Sequence, residues 1–279
     1  MTIAAEIATG NAKAIASRAR SESLRLGHQA GGQGAHFGPA LSLIEVMATL
    51  YGAVLRFDPS RPEAPERDRM ILSKGHGSLA LYTVLHEVGL IPSTVLETCE
   101  TDGSVLPGQP IRRREYGIEF SSGSLGLGLS FGVGLALSAR LHARDSRVFV
   151  VMGDGETNEG SVWEAAMSAA HYELGNLVAV IDMNDLQSDG PTERVLRMDH
   201  EALWRAAGWE VRVVDGHDVA ALAEVLGAPP GGKPRVVLAR TVKGKGVDFM
   251  EGNPDWHHGR MSEDQVNSAM TQASEGFAT

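Results

Sequence analysis

The chain has 279 residues, 33 of them glycine, a single cysteine, and a formal charge of −10 from 25 basic and 35 acidic side chains. With 43% apolar residues it has material for a substantial core and is no disordered chain, and its length fits two small domains or one large α/β domain. One cysteine, Cys99, excludes a disulfide framework and any multi-cysteine zinc or iron–sulfur site, and the acidic balance argues against a general nucleic-acid or anionic-membrane binder.

The start of the chain, Met1 to Glu6, lacks a basic stretch leading into an apolar run, so it reads as no secretory signal. The longest apolar stretches fall far short of the roughly 20 residues that span a membrane. The expected compartment is the cytoplasm. Residues 3–26 carry Ala, Ile and Leu at helical spacing, with Arg18, Arg20, Glu22 and Arg25 expected on the wet side. Gly27 opens a glycine-rich loop, residues 40–55 resume as an apolar helix, and the Pro-rich, charged stretch 58–69 reads as a surface connection. A helix over 77–88 is stopped by Gly89, a short one follows Pro92, and 101–122 shows no period and contains Arg112, Arg113 and Arg114.

From there strands and helices alternate. Residues 123–141 form a glycine-punctuated apolar helix, whose apolar face is too continuous for one sheet contact and calls for cover by another subunit. Residues 147–152 are a β-branched run suited to a buried parallel strand. Helices are expected over 161–172, 199–207 and 219–226, and strands over 177–182, 209–214 and 235–239, after which periodicity fades. The alternation predicts an α/β fold, a doubly wound, mostly parallel sheet with helices on both faces. We expect one domain over 1–279, with a helical and loop part at 1–122 and a tail at 243–279.

The chemistry collects at strand ends, where such folds bind ligands. Gly153-Asp154-Gly155 follows the first β-branched run; its glycines let backbone approach a ligand, and its carboxylate is presented at the strand end. Asn184 ends the next strand, 28 residues (156–183) beyond Gly155, an interval of one helix plus one strand. Two adjacent strand ends therefore bring Asp154 and Asn184 together. A carboxylate, an amide oxygen and a loop carbonyl are hard ligands suited to Mg²⁺ or Ca²⁺ bridging a diphosphate. Neither a Walker loop nor a dinucleotide fingerprint is present.

The stretch GDGETNEGSVWEAAMSAAHYELGNLVAVIDMN resembles the thiamine-diphosphate motif of transketolases. RDRMILSKGHGSLALY, EFSSGSLGLGLSFGVGLALSARL and TVKGKGVDFMEGNPDWHHG resemble three further segments of that family, in the same order. The likeness is to the N-terminal, diphosphate-binding half, as in two-gene bacterial transketolases. It implies the thiamine-diphosphate-binding fold, thiamine diphosphate with Mg²⁺ as cofactors, and a partner subunit carrying the pyrimidine-binding domain in an α2β2 assembly. It also implies that Asp154, Asn184 and the main-chain carbonyl of Leu186 hold the metal. Gly123, Ser124, Leu125, Gly153, Gly155, Glu156 and His76 then lie against the cofactor. His36, His76 and His258 become the catalytic histidines that exchange protons with substrate hydroxyls; His257 is an equally placed rival to His258. Glu159 and Glu164 match carboxylates near a subunit contact, though charge at a helix start also accounts for them.

Two positions depart from the family pattern. Gln109 stands where ketose-using members carry the His of a Gly-His-Pro, and Leu127 stands where a Gln is usual. Glutamine hydrogen-bonds but does no acid–base work near pH 7, so the donor differs from the usual sugar phosphates or that contact is only a hydrogen bond. The arginines 112–114 either receive an anionic ligand or form a solvated loop. The leading expectation is one half of a split transketolase-type transferase acting on ketose and aldose substrates. The alternatives are an α-type subunit of a 2-oxo-acid dehydrogenase or acyloin-forming enzyme, and a non-catalytic cofactor-binding scaffold.

Overall fold

A computed structural model describes residues 3–188 and 190–275 of the chain. In chain order it runs α1 (Ile3–Gln29), α2 (Phe37–Leu41), α3 (Ile44–Thr49), β1 (Arg69–Leu72), α4 (Ser78–Glu87), α5 (Ser93–Leu96) and α6 (Leu127–Leu141). Then come β2 (Val148–Gly153), α7 (Gly160–His171), β3 (Leu177–Met183), the short antiparallel pair β4 (Leu186–Gln187) and β5 (Gly190–Pro191), and α8 (Thr192–Leu196). The remainder is α9 (His200–Ala206), β6 (Glu210–Asp215), α10 (Val219–Gly227), β7 (Arg235–Arg240) and α11 (Glu263–Glu275).

Five strands form one parallel sheet in the order β1-β2-β3-β7-β6. The runs VFVVMG and LVAVIDM are buried almost throughout, because helices cover both faces and leave no polar side for alternation. One face packs on α1, α3, α4 and α10 through residues such as Ile15, Leu24, Ile44, Leu85 and Leu222. The other packs on α6, α7 and α9 through Leu129, Val133, Val162, Ala166 and Trp204. The doubly wound expectation holds. No described helix is long and apolar enough to cross a membrane.

Several elements differ from the sequence reading. Strand β1 lies inside the part expected to be helix and loop only; four residues opening on Arg69 are too short to show a strand period. The expected helix over 40–55 is broken into α2, α3 and a π-helical turn at Leu50–Val54. Residues 123–126 are not helical. Gly126 adopts φ +83°, a left-handed conformation that stops a helix from extending backwards, and α6 starts at Leu127. Arg20, expected in solvent, is completely buried. The tail expected over 243–279 contains α11, which packs against α1, and its last residues, 276–279, lie outside the described residues, as do Met1 and Thr2.

Candidate functional site

Four neighbouring strands end on the same edge of the sheet, and each carries a polar residue into the loop beyond it. β1 leads to Lys74 and His76, β2 to Asp154, β3 to Asn184 and β7 to Lys243. The register Gly153↔Asp182 sets Asp154 beside the end of β3, and the ladder passes on through the Asp154 amide to the Asp182 carbonyl. These loops line a cleft of about 450 Å³.

The oxygen donors stand together on one wall. The Asp154 carboxylate accepts the backbone N–H groups of Gly155 and Asp185, each at 2.7 Å. Burial, then the neighbouring Asp182 carboxylate, push Asp154 up to about 7, so that a cation placed beside it would be strongly favoured. Asn184 donates its amide to Asp182 Oδ2 at 3.0 Å, which turns its Oδ1 toward the loop, where it accepts the Leu186 N–H at 3.2 Å. Asp185 takes φ +60° in the intervening turn, a conformation tolerated by Asp, and this turn presents the Leu186 carbonyl. The three oxygens anticipated from sequence thus share one wall, a hard donor set that fits Mg²⁺ or Ca²⁺. Among the described residues no group of three or more His, Cys, Asp or Glu forms a softer or all-side-chain metal site.

Cationic and amide groups complete that wall, and sequence reasoning missed them. Lys74 is buried against the fully buried Asp182 at 2.5 Å. Burial opposes ionisation of Asp182, but the Lys74 ammonium outweighs it and holds the carboxyl below its usual range. Asp182 also receives Ser42 Oγ at 2.7 Å and the Thr241 hydroxyl. Lys243 reaches the Leu186 carbonyl at 3.3 Å and His257 Nδ1 at 2.9 Å; burial, then Lys74, bring it down to about 8. Gln187 Nε2 is a buried donor without a protein partner. It lies against Gly155, where any Cβ would stand 2.8 Å from it. An orphaned donor, two lysines and a glycine approach are what an oxyanion such as a diphosphate requires. The lysines were visible only as letters in their motifs; Gln187 had no local signal.

The opposite wall is a group of four histidines. Ring centroids lie 4.6 Å apart for His36 and His258, 5.7 Å for His36 and His257, 5.3 Å for His76 and His257, and 6.0 Å for His36 and His76. Burial, then His258 and the lysines 243 and 74, bring His36 down to about 4. Burial and then Lys243 do the same for His257, and burial and then Lys74 hold His76 well below the ordinary range. At pH 7 these three rings are neutral, each with one donor and one acceptor nitrogen. His76 and His257 line the cleft, whereas His258 stands exposed at its rim against His36. The loop carrying His36 meets the loop carrying His258 through a reciprocal backbone bridge between Ala35 and Gly259, at 2.9 and 3.0 Å.

The other sequence candidates fall as follows. Leu125 lines the cleft and is 37% exposed, with Gly123 and Ser124 exposed beside it. Glu156 turns inward, accepting the N–H groups of Gly126 at 2.9 Å and Gly153 at 3.1 Å together with the Ser73 hydroxyl. It ties three cleft loops together, so its carboxylate is a brace for the wall. Gln109 packs against Gly75 behind His76 and does not line the cleft. Arg114 pairs with Glu63 at 3.1 Å, and Glu159 and Glu164 are exposed.

Residues 13–278 match the family model described as transketolase, thiamine diphosphate binding domain. The chain is 42% identical over 262 residues to one of the two kinds of chain that make up the apulose-4-phosphate transketolase of Actinobacillus succinogenes, an alignment covering 93% of this chain and 94% of that one. It is 40% identical over 242 residues to a 6-deoxy-6-sulfo-D-fructose transketolase subunit of a Clostridium strain, covering 85% and 87% of the two chains. Among solved structures, the transketolase of Campylobacter jejuni superposes with a TM-score of 0.84 at 25% identity, covering 98% of this chain and 43% of that one. The chain therefore spans less than half of that longer protein and nearly all of the subunits.

Proposed function

The chain belongs to the transketolase family, through its thiamine-diphosphate-binding domain, and from that premise we propose that it is the diphosphate-binding subunit of a two-subunit transketolase, an enzyme transferring a two-carbon ketol unit between sugar-like substrates. We take all 279 residues as one such unit. In this reading Asp154, Asn184 Oδ1 and the Leu186 carbonyl hold Mg²⁺, with Ca²⁺ an alternative of the same hardness. Lys74, Lys243 and Gln187 neutralise and hydrogen-bond the diphosphate. When bound, thiamine diphosphate supplies the carbon nucleophile and electron sink for breaking and making the bond beside a ketose carbonyl.

The chain's own contribution is positioning and proton handling. Lys243 occupies His257 Nδ1, so the neutral His257 ring carries its proton on Nε2. His36 and His76, held neutral by burial, are able to take a proton from a sugar hydroxyl and return it to a developing alkoxide. Pinning four rings about one cleft is the observation that carries this reading over a scaffold, which needs no proton acceptors. Gln109, held behind His76, is consistent with a donor other than the common pentose phosphates, in keeping with the apulose 4-phosphate and sulfofructose named for the two relatives.

A partner is required because the cleft has walls from one side only. The apolar residues Leu125, Leu127 and Leu141 near α6 and Met167 on α7 are 37%, 45%, 83% and 59% exposed, a face that a second copy together with a pyrimidine-domain subunit would cover in an α2β2 assembly. A cytoplasmic setting accords with a single, buried thiol. The test is reconstitution: the purified chain has no ketol-transfer activity, and a partner subunit restores it. In the pair, Asp154→Ala abolishes Mg²⁺-dependent binding of thiamine diphosphate measured by calorimetry. Robust turnover by the chain alone, or undiminished cofactor affinity in the variant, refutes the reading.

A further inference from the structure

Behind the cleft a second polar network runs through the core, and none of its members touches the cofactor wall directly. Arg20 of α1 pairs with Glu45 of α3, both buried. Glu45 Oε2 accepts from His217 Nδ1 at 2.9 Å, and His217 Nε2 accepts the backbone N–H of Val242 at 2.8 Å. A ring nitrogen that accepts an amide proton carries none of its own, so the His217 proton resides on Nδ1 and points at Glu45. Arg20 further donates to the carbonyl of Leu41 at 3.3 Å and to that of Lys245. The network therefore grips the chain on both sides of Lys243.

The place of His217 in the sheet explains why a side chain is needed there. The β6–β7 ladder ends at Asp215↔Arg240, and Gly216 closes it by donating to the Arg240 carbonyl at 2.7 Å. Beyond that point β6 turns away, leaving no strand to receive the Val242 amide. The imidazole takes over the acceptor role of the missing strand. On the far side, Gly246 at φ +91° wraps the turn around Arg20, and a Cβ there would stand 3.0 Å from the arginine Cδ. The segment 241–246 is thus fixed by long-range contacts and not by the sheet.

We propose that His217 is a positioning residue that sets the pose of Lys243 against the oxyanion wall by accepting the Val242 amide, with Glu45 and Arg20 holding the ring in its tautomer. Lys243 is a point charge on a flexible stem, and its ammonium meets the Leu186 carbonyl and His257 only if the backbone one residue away stays in register. This rests on the cofactor reading for the ligand's identity, not for the clamp itself.

Two variants of the full chain separate positioning from filling. His217→Asn keeps a donor for Glu45 but is too short to reach Val242; His217→Gln extends an amide oxygen to the Nε2 position. In hydrogen-exchange mass spectrometry, Asn speeds exchange of segment 241–246 about tenfold while β2 and β3 stay protected, and Gln restores it to within about threefold. Calorimetry with Mg²⁺ and inorganic pyrophosphate shows a Kd about tenfold weaker for Asn and near the parent value for Gln. Unchanged exchange in the Asn variant overturns the proposal, and so does Gln behaving like Asn, or loosened exchange with undiminished pyrophosphate affinity. If the parent chain binds no pyrophosphate, it is the cofactor reading that fails. The positioning claim is then decided by acetic anhydride labelling of Lys243, which rises in the Asn variant and overturns the proposal if it does not.

Discussion

The two walls of the cleft are built in different ways. The oxygen and lysine wall is delivered by the sheet: Lys74, Asp154, Asn184 and Lys243 each follow a strand, and the parallel register fixes which strand ends are neighbours. The histidine wall draws only His76 from a strand. His36 comes from the loop after α1, and His257 and His258 come from the loop before α11, joined by the Ala35–Gly259 bridge. A wall carried by the sheet resists local change, because its geometry is distributed over many ladder bonds. A wall made from remote loops depends on a few contacts, and a single added methyl group can disturb it.

The sharpest way to break the comparison is to attack the sheet-carried wall at its one shared support. Asp182 receives Lys74, Asn184, Ser42 and Thr241. Asp182→Ala leaves the Lys74 ammonium buried and unpaired and releases the Asn184 amide, and should cost about 3–5 kcal/mol in urea unfolding together with Mg²⁺-dependent cofactor binding. A loss below about 1 kcal/mol would show that the wall does not lean on this carboxylate.

A smaller effect is expected where the histidine loops cross. Gly34 has φ +73°, and a Cβ there would meet the Gly259 carbonyl at 2.7 Å. Gly34→Ala should cost roughly 1–3 kcal/mol through left-handed strain and that clash. Its diagnostic is a split: kcat of the reconstituted pair falls while the affinity for thiamine diphosphate holds. Equal loss of both would mean that the two walls are not independent.

The smallest effect is one of pH. His36 and His257 are held near 4 in the fold against an ordinary 6.5. Folding therefore favours their neutral forms, a stabilisation present in full above pH 6.5 and lost as pH falls from 6.5 through 4. Because both rings reach the cleft, water screens part of this. Urea midpoints measured at pH 7, 5.5 and 4.5 should decline, and His36→Asn should flatten the decline between 6.5 and 5; an identical slope in the variant would count against a buried neutral ring.

Much of the sheet-carried wall was legible because strand, turn and ligand are contiguous in sequence. VFVVMGDG announces a buried strand, then a close backbone approach, then a carboxylate, and the 28-residue interval to Asn184 is one helix and one strand. Lys74 and Lys243 lie in two of the family-like segments yet gave no signal of their own, since a lysine letter does not disclose whether its ammonium is buried or solvated. Strand β1 was missed for its brevity. Glu156 was expected to face the cofactor and instead braces Ser73, Gly126 and Gly153, a role that depends on which way one side chain turns.

The amino-acid sequence by itself determined the α/β class, the order of elements, the three candidate oxygen ligands and the candidate histidines, because periodicity and motif spacing are properties of neighbouring residues. Only the tertiary structure decided that four histidines from three distant segments share one cleft, with His257 lining it and His258 at its rim. It also decided that Arg20 is buried and that His217 accepts a backbone amide where a strand runs out. These are contacts between residues up to 225 positions apart. They arise from how helices pack around a sheet whose ladder stops short, and no local pattern records where that happens.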